Sequence, residues 1–568
     1  MTTLEWRQAL GAAGLLRVFT DAGVLESSDV HVAQRLTSLA SESAETVALA
    51  VALVVRALRH GSVCVDLRSL EQQIGVEGLP WPDVDEWLAA ARASPLAGTP
   101  PALRVDGDLL YLDRYRREEQ QVCDDVLRMV SARPRQVSPD IDRLFPAGFE
   151  EQRVAAEVAL SQGLTVLTGG PGTGKTTTVA RLLALLAGGT RLRIALAAPT
   201  GKAAARLQDA VQLEVKKLEP ADREALSGLQ ATTLHRLLGS RPDTSARFRH
   251  NRGNRLPHDV VVVDETSMVS LTMMARLLEA VRPDARLILV GDPDQLASVE
   301  AGAVLADLVD GLGDPKIAAL KTSHRFGESI GKLASAIRMG DSDQVIEVLR
   351  AGGDHIEWIE TDEPSGALRK VLLPQALRLR EAAILGNANE ALRTLDEHRL
   401  LCAHRRGPFG VRHWNRQVER WLAESTGEPI WSSWYAGRPV LVTANDYGLG
   451  LYNGDTGVAL LHDGVLRAAI AGTHQLQFAT SRLSDVDTMH AMTIHKSQGS
   501  QAEEVTVLLP PADSRLLSRE LLYTGVTRAT SHIRLIGPET SVRATIARRV
   551  LRASGLAHRL RTGSELDT

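Results

Sequence analysis

Cysteine is nearly absent from this chain of 568 residues: Cys64, Cys123 and Cys402 lie far apart with no CxxC spacing. That excludes a zinc ribbon or a disulfide framework and fits a reduced, cytoplasmic setting. Long hydrophobic runs are missing too. The longest, residues 47–55, is too short to cross a bilayer, and the start MTTLEWRQAL has no basic segment leading into an apolar one. A soluble protein with a buried helix over 47–55 is expected. Nor is there an excess of charge of one sign. Lys plus Arg number 65 against 69 Asp plus Glu, a net charge of −4. With no global basic signature, any nucleic-acid track has to be local. Internal repeats and low-complexity tracts are also lacking.

What is present is length and alternation. A chain of this size exceeds one hydrophobic core, and about three or four domains are expected. Residues 1–130 are Ala- and Leu-rich with helical spacing and carry no catalytic cluster, which reads as a helical domain. The Pro-bearing stretch 131–149 reads as a linker. From 150 to 344, the runs LTVLTGG, LRIALAAPT, DVVVVDE and RLILVGD alternate with helical patterns. Continuous apolar strands with crossover helices predict a parallel sheet covered on both faces. A second such unit is expected over 345–434 and 489–568, with LLCAHRR, VTVLLPP and HIRLIG as strands. Short strands and Gly/Asn/Asp turns over 435–488 predict a small antiparallel barrel inserted into it.

Gly169, Gly174, Lys175 and Thr176 satisfy G-x-x-x-x-G-K-[ST], after a strand and at the start of a helix, as a P-loop requires. The loop of Gly169, Gly170, Pro171, Gly172, Thr173 and Gly174, with Thr177 beyond it, would let backbone N–H groups approach ATP phosphates. Lys175 would neutralise β/γ charge, and the Thr176 hydroxyl would reach Mg²⁺. VVVVDE ends a buried strand in two carboxylates: Asp264 suits Mg²⁺ through water, and Glu265 suits orienting the attacking water. In RLILVGDPDQ the same strand-then-turn pattern puts Gln295 at the sheet's carboxyl edge, as a γ-phosphate sensor or a plain loop residue. Arg325 in TSHRFG and Arg528 in YTGVTRAT are candidate donors to charge developing on the γ-phosphate, although either alone also reads as a surface salt bridge.

Taken together, GGPGTGKTTT, APTGKAAARL, TTLHRLL, VVVDETSM, LVGDPDQLASV, TIHKSQGSQ and LLYTGVTRA resemble the ordered motif series of superfamily 1 helicases, most closely the RecD subunits of the RecBCD exonuclease V. The resemblance covers roughly residues 145–550. It implies two RecA-like domains and 5′→3′ travel on single-stranded DNA. It further implies that Gln152 reads adenine and that Thr200, His235, Thr493, His495 and Ser497 sit in motifs contacting the DNA backbone. FRHNRGNRLPH, 248–258, resembles the hairpin wedge expected over about 240–258, or is a basic solvated loop. His324 stands where family members often have tyrosine. The N-terminal region is shorter than the extension of stand-alone RecD-like helicases. That favours a heterotrimer with RecB-like helicase-nuclease and RecC-like subunits, with residues 1–130 either docking those partners or bracing the motor.

The expected function is thus a DNA-dependent ATPase and 5′→3′ helicase that processes double-strand breaks within a RecBCD-type machine. A stand-alone RecD-like helicase, and a non-motor ATP switch that positions a partner nuclease, are the alternatives. Because the implied DNA contacts rely on Thr, Ser, His and backbone groups, a modest salt dependence of single-strand binding is expected.

Overall fold

The computed structural model describes residues 9, 11–132, 141–188, 192–241, 244–314, 316–322, 328–446, 448–471 and 476–565. Arg325 and His324 lie outside the described residues.

Helices Gly14–Asp21, Ser27–Ala40, Glu45–Arg59 and Val84–Ala93 bury Phe19, Leu49, Leu53 and Trp87 in an N-terminal core of their own. The expected helical unit also contains a three-stranded antiparallel sheet, Val65–Asp66, Leu109–Leu112 and Leu103–Asp106. Its hairpin turns at Gly107, φ +60°, a conformation that favours glycine. The helix Asp113–Ser131 leaves this unit. Val122, Cys123, Val126 and Met129 are buried in the core of the first parallel sheet, and Gln121 Nε2 donates to the Ala275 carbonyl at 2.9 Å. Within the expected linker, the short helix Ile141–Leu144 leads into Phe145, which is buried with Leu144.

The first parallel sheet has six strands in the order Ile317–Leu320, Leu164–Gly169, Arg286–Gly291, Val260–Val263, Ile194–Ala198, Ala231–Thr233. Val260, Val261, Val262 and Val263 are all at most 2% exposed. Each contributes roughly 1.5 kcal/mol or more by leaving water, which is why an uninterrupted valine run marks this doubly covered strand. The second sheet has five parallel strands, Ile356–Ile359, Ala529–Ile536, Ala502–Leu508, His398–Cys402 and Ala491–Thr493. Between its helix Val411–Thr426 and strand Ala491–Thr493 lies an antiparallel sheet ordered Leu476–Ala479, Val465–Ile470, Thr456–His462, Pro439–Val442, Val486–Thr488.

Three segments depart from the expected boundaries. The second unit begins before residue 345, since the helix Glu328–Met339 buries Ile330, Leu333 and Ile337 in the second sheet's core. The C-terminal residues do not stay with that sheet: the helix Leu556–Glu565 inserts Leu556 and Leu560 into the first core. Glu119, fully buried on the long helix, holds this return. It accepts from Arg559 Nε (3.1 Å), Tyr111 Oη (3.0 Å), Ser554 Oγ (2.9 Å) and the Gly555 N–H (2.9 Å). A buried carboxylate is tolerable only with such a set of donors. Finally, the hairpin is Ser240–Arg241 with Thr244–Phe248, and residues 249–258 are not a free wedge. Arg252 pairs with Asp125 at 2.8 Å, Arg255 donates to the Val281 carbonyl, and Leu256 is buried.

Candidate active site and DNA-facing motifs

The carboxyl ends of Leu164–Gly169, Val260–Val263 and Arg286–Gly291 face one crevice, the usual ligand position in a parallel α/β sheet. A cavity of about 700 Å³ opens there, lined by Gln152, Pro171, Gly172, Gly174, Lys175, Thr176, Thr177, Asp264, Glu265, Asp292 and Gln295 from the first unit and Arg528 from the second. The loop needs its glycines. Gly172 and Gly174 hold φ of +82° and +83°, and a Cβ on Gly169 would fall 2.5 Å from Thr173 Oγ1 and 2.8 Å from the Leu320 carbonyl oxygen. Thr173 Oγ1 closes the turn by donating to the Gly170 carbonyl at 2.9 Å. Lys175 Nζ donates to the Gly169 and Gly170 carbonyls, the latter at 2.8 Å. Burial lowers the pKa of Lys175 against the opposing pull of Asp292, Asp264 and Glu265.

The acids carry the strain of the site. Burial, then the charge of Glu265, push the Asp264 carboxyl up to about 6. Its oxygen accepts the Glu265 N–H at 2.8 Å, and Glu265 sits in the left-handed region at φ +50°. For a non-glycine residue this costs on the order of 1 kcal/mol and is found mostly at functional positions. Asp292, which sequence reasoning passed over, is also raised by burial. It accepts from Gln295 Nε2 (3.1 Å) and from Tyr523 Oη (3.0 Å) of the second unit. Its signal was available: like Asp264, it directly follows an apolar strand. Arg528, 3% exposed, donates from Nη2 to Gln295 Oε1 at 2.8 Å, and the Leu296 N–H donates to Thr524 Oγ1 at 2.9 Å. Arg206, from the APTGKAAARL motif, lines the same cavity. Arg528 is therefore no surface salt bridge, and Gln295 no bland loop residue.

The remaining motif residues leave neighbouring strand ends. In the first sheet Ala198 pairs with Thr233, so Thr200 and His235 follow adjacent strands. Thr200 Oγ1 caps the helix Gly201–Val215 by accepting the Ala203 N–H at 3.2 Å. His235 packs edge-on against Phe248 at 5.8 Å between centroids, and burial lowers its pKa. In the second sheet Thr493 Oγ1 accepts the Lys496 N–H at 3.2 Å, and burial lowers the pKa of His495. Ser497 departs from its expected role. It is 1% exposed and its hydroxyl donates to the Ile494 carbonyl at 2.7 Å, so it shapes the turn rather than offering a hydroxyl to a strand. The segment then continues to the nucleotide crevice: Gln498 Nε2 donates to the Leu296 carbonyl at 2.7 Å, and Gln501 lines the cavity.

Comparison with known proteins bears on the same regions. Residues 149–361 match the AAA domain, residues 488–536 the UvrD-like helicase C-terminal domain, and residues 21–111 the RecBCD enzyme subunit RecD, N-terminal domain. A RecBCD enzyme subunit RecD from Mycolicibacterium smegmatis is 71% identical over 555 residues, covering 96% of this chain and 99% of the relative. Its counterpart from Mycobacterium tuberculosis is 66% identical over 565 residues, covering 98% of each. The ATP-dependent RecD2 DNA helicase of Deinococcus radiodurans is 31% identical over 484 residues, 82% of this chain and 61% of the relative. Among solved structures, a Pif1 helicase from Bacteroides in complex with ADP-AlF3 and ssDNA aligns with 74% of this chain and 97% of its own, at 16% identity and a TM-score of 0.41. No helix among the described residues is long and apolar enough to cross a membrane. With P-loop, acidic strand ends and a cross-unit arginine set around one cavity, and relatives of this identity along nearly the whole length, the chain belongs to the RecD family, the ATP-dependent helicase subunits of RecBCD enzymes.

Proposed function

We propose that this chain walks 5′→3′ on single-stranded DNA, driven by ATP hydrolysis in the 700 Å³ cavity, within a complex that includes RecB-like and RecC-like subunits and processes double-strand breaks in the cytoplasm. The observation that carries the reading is the bridge Asp292–Tyr523 and Gln295–Arg528, which joins the two parallel-sheet units directly across the crevice. A γ-phosphate there would meet Lys175 from one unit and Arg528 from the other. Its loss would remove one attraction between the two, which acts in addition to the direct bonds, so hydrolysis and domain opening would be linked. The segment 493–501 runs from Thr493 and His495 to Gln498 and Gln501, giving the strand-facing motif a rigid link to the nucleotide.

Gln152 reads the base; its burial at the cavity wall, 4% exposed, supports this. The donor set fits a hard divalent cation. Asp264 is a carboxyl pressed toward its neutral form by burial and Glu265, and Thr176 lines the same cavity; Mg²⁺ held between them would neutralise phosphate charge. Glu265 then orients water, Gln295 senses the γ-phosphate, and Thr200, His235, Thr493 and His495 guide the strand. Opening duplex costs on the order of 1.4 kcal/mol per base-pair step. Stacking of freed bases returns about 1–3 kcal/mol each but saturates after a few nucleotides, so sustained opening requires ATP.

The purified chain should hydrolyse ATP slowly alone and at least about tenfold faster with single-stranded DNA, a coupling of 1.4 kcal/mol or more. Turnover indifferent to DNA would instead fit an ATP switch that positions a partner.

A further inference from the structure

The helix Val411–Thr426 has two contrasting faces. Trp414, Val418, Trp421 and Leu422 are buried against Leu368, Leu372 and Cys402. Arg412, Arg416 and Arg420, spaced four residues apart, lie on the opposite side, exposed. Among the described residues none of the three pairs with a carboxylate. The helix's own acids are turned elsewhere: Glu419 accepts inward from Tyr435 Oη at 3.3 Å, with Arg416 acting on it only at longer range, and Glu424 pairs with Arg369 at 3.2 Å. In a chain of net charge −4, a stripe of three uncompensated guanidiniums about 12 Å long stands out.

The stripe begins beside the motif that carries Thr493 and His495: the Arg412 N–H donates to the Arg405 carbonyl at 3.1 Å. Cys402 pairs with Thr493 in the second sheet, and the Ile494 N–H donates to the Cys402 carbonyl at 3.0 Å. The chains leaving this edge are therefore neighbours: one carries His495, the other carries exposed Arg405 and Arg406 into the N-terminus of the arginine helix. Arg405 is close enough to act on the His495 ring, after burial and Arg552.

The geometry points to a phosphate track along Arg412, Arg416 and Arg420 that extends the single-strand path beyond the helicase motifs, with the backbone of single-stranded DNA as its occupant. Charge complementarity selects it. Guanidiniums on successive helical turns suit a polyanion with regularly spaced phosphates, and no pocket or apolar rim is needed. The inference rests on the proposed DNA-translocation reading. It also predicts a steeper salt dependence than contacts through Thr, Ser, His and backbone groups alone would give.

The test compares the full-length protein with its R412Q/R416Q/R420Q and R412K/R416K/R420K variants, binding oligothymidylates of increasing length at several salt concentrations. Three lost phosphate contacts should flatten the log–log salt slope by about 2 and weaken binding of long strands about tenfold near 0.1 M salt. Short strands and DNA-free ATP turnover should be unaffected, and the lysine variant should restore the slope, because a point charge suffices for a phosphate. An unchanged slope in the glutamine variant overturns the track while leaving the helicase reading intact. So does an unchanged slope accompanied by loss of co-purifying subunits, which would make the stripe a protein-docking face. Failure of the unaltered protein to bind any oligothymidylate would overturn both.

Discussion

Lys175→Ala is expected to lower ATP turnover by about 10²–10³-fold or more, the effect of removing one pre-positioned cation from a site of developing charge. That corresponds to roughly 3–4 kcal/mol of transition-state stabilisation. Lys175 Nζ is held over the loop by the Gly169 and Gly170 carbonyls, and burial destabilises its charge until an anion arrives. An incoming phosphate would therefore gain more from it than from a solvated lysine. Thr200, His235, Thr493 and His495, the residues proposed to guide the strand, follow other strand ends, so single-strand affinity measured without nucleotide should change less than about twofold. A variant that turned over ATP at the normal rate would remove the cavity from the chemistry.

Glu265→Gln is expected to separate binding from turnover. The amide has the shape of the carboxylate it replaces, and the left-handed backbone at φ +50° together with the Glu265 N–H to Asp264 bond at 2.8 Å needs only the main chain. Asp264 loses a like charge beside it, so its carboxyl, raised to about 6 with Glu265 present, should ionise more readily and Mg²⁺·ATP should bind at least as well. Without a carboxylate to orient water, hydrolysis should fall by about 10²–10⁴-fold. Equilibrium binding of a fluorescent ATP analogue, measured beside steady-state turnover, reads both halves of this expectation. Normal hydrolysis would move the water-orienting role to another group, with Asp292, 3% exposed on the next strand, the nearest alternative.

Both variants act on residues legible in the sequence alone, and the reason is local. Parallel strands covered on both faces are apolar runs, and the chemistry sits where each run ends: Gly169 after LTVLT, Asp264 after VVVV, Asp292 after LILVG. Short-range signals of this kind survive in one dimension. The long-range pairings do not. Glu119 meets Arg559 across 440 residues of sequence, and nothing in either segment announces the partner, so the C-terminal return onto the first sheet is invisible in one dimension. The helical period of Asp113–Ser131 groups it with the N-terminal helices, whereas its apolar face packs on a sheet formed later in the chain. The basic run over 248–258 resembles a hairpin wedge, or a solvated loop, as long as its partners are unknown. Its Arg252 pairs with Asp125, while the arginines at 412, 416 and 420, which pair with no carboxylate among the described residues, form a stripe only once the helix's buried face is known.

Ser497 is a smaller instance of the same limit: a motif hydroxyl looks available in sequence, and only burial reveals that its hydrogen bond goes to its own turn. Conversely, Arg528 gained. Alone it resembles any surface arginine, but its burial and its bond to Gln295 at 2.8 Å set it in the wall of the cavity between the two sheets.

Directional strand displacement tests the central claim most directly. Partial duplexes carrying a single-stranded tail on either the 5′ or the 3′ side should be offered, with ATP and Mg²⁺, to the protein in the proposed complex, with the ATPase of the RecB-like subunit inactivated. Travel 5′→3′ predicts ATP-dependent opening of the 5′-tailed duplex, at least about tenfold faster than the 3′-tailed one, and its loss in Lys175→Ala. Equal opening of both, opening of the 3′-tailed substrate alone, or opening that persists without ATP would contradict the account.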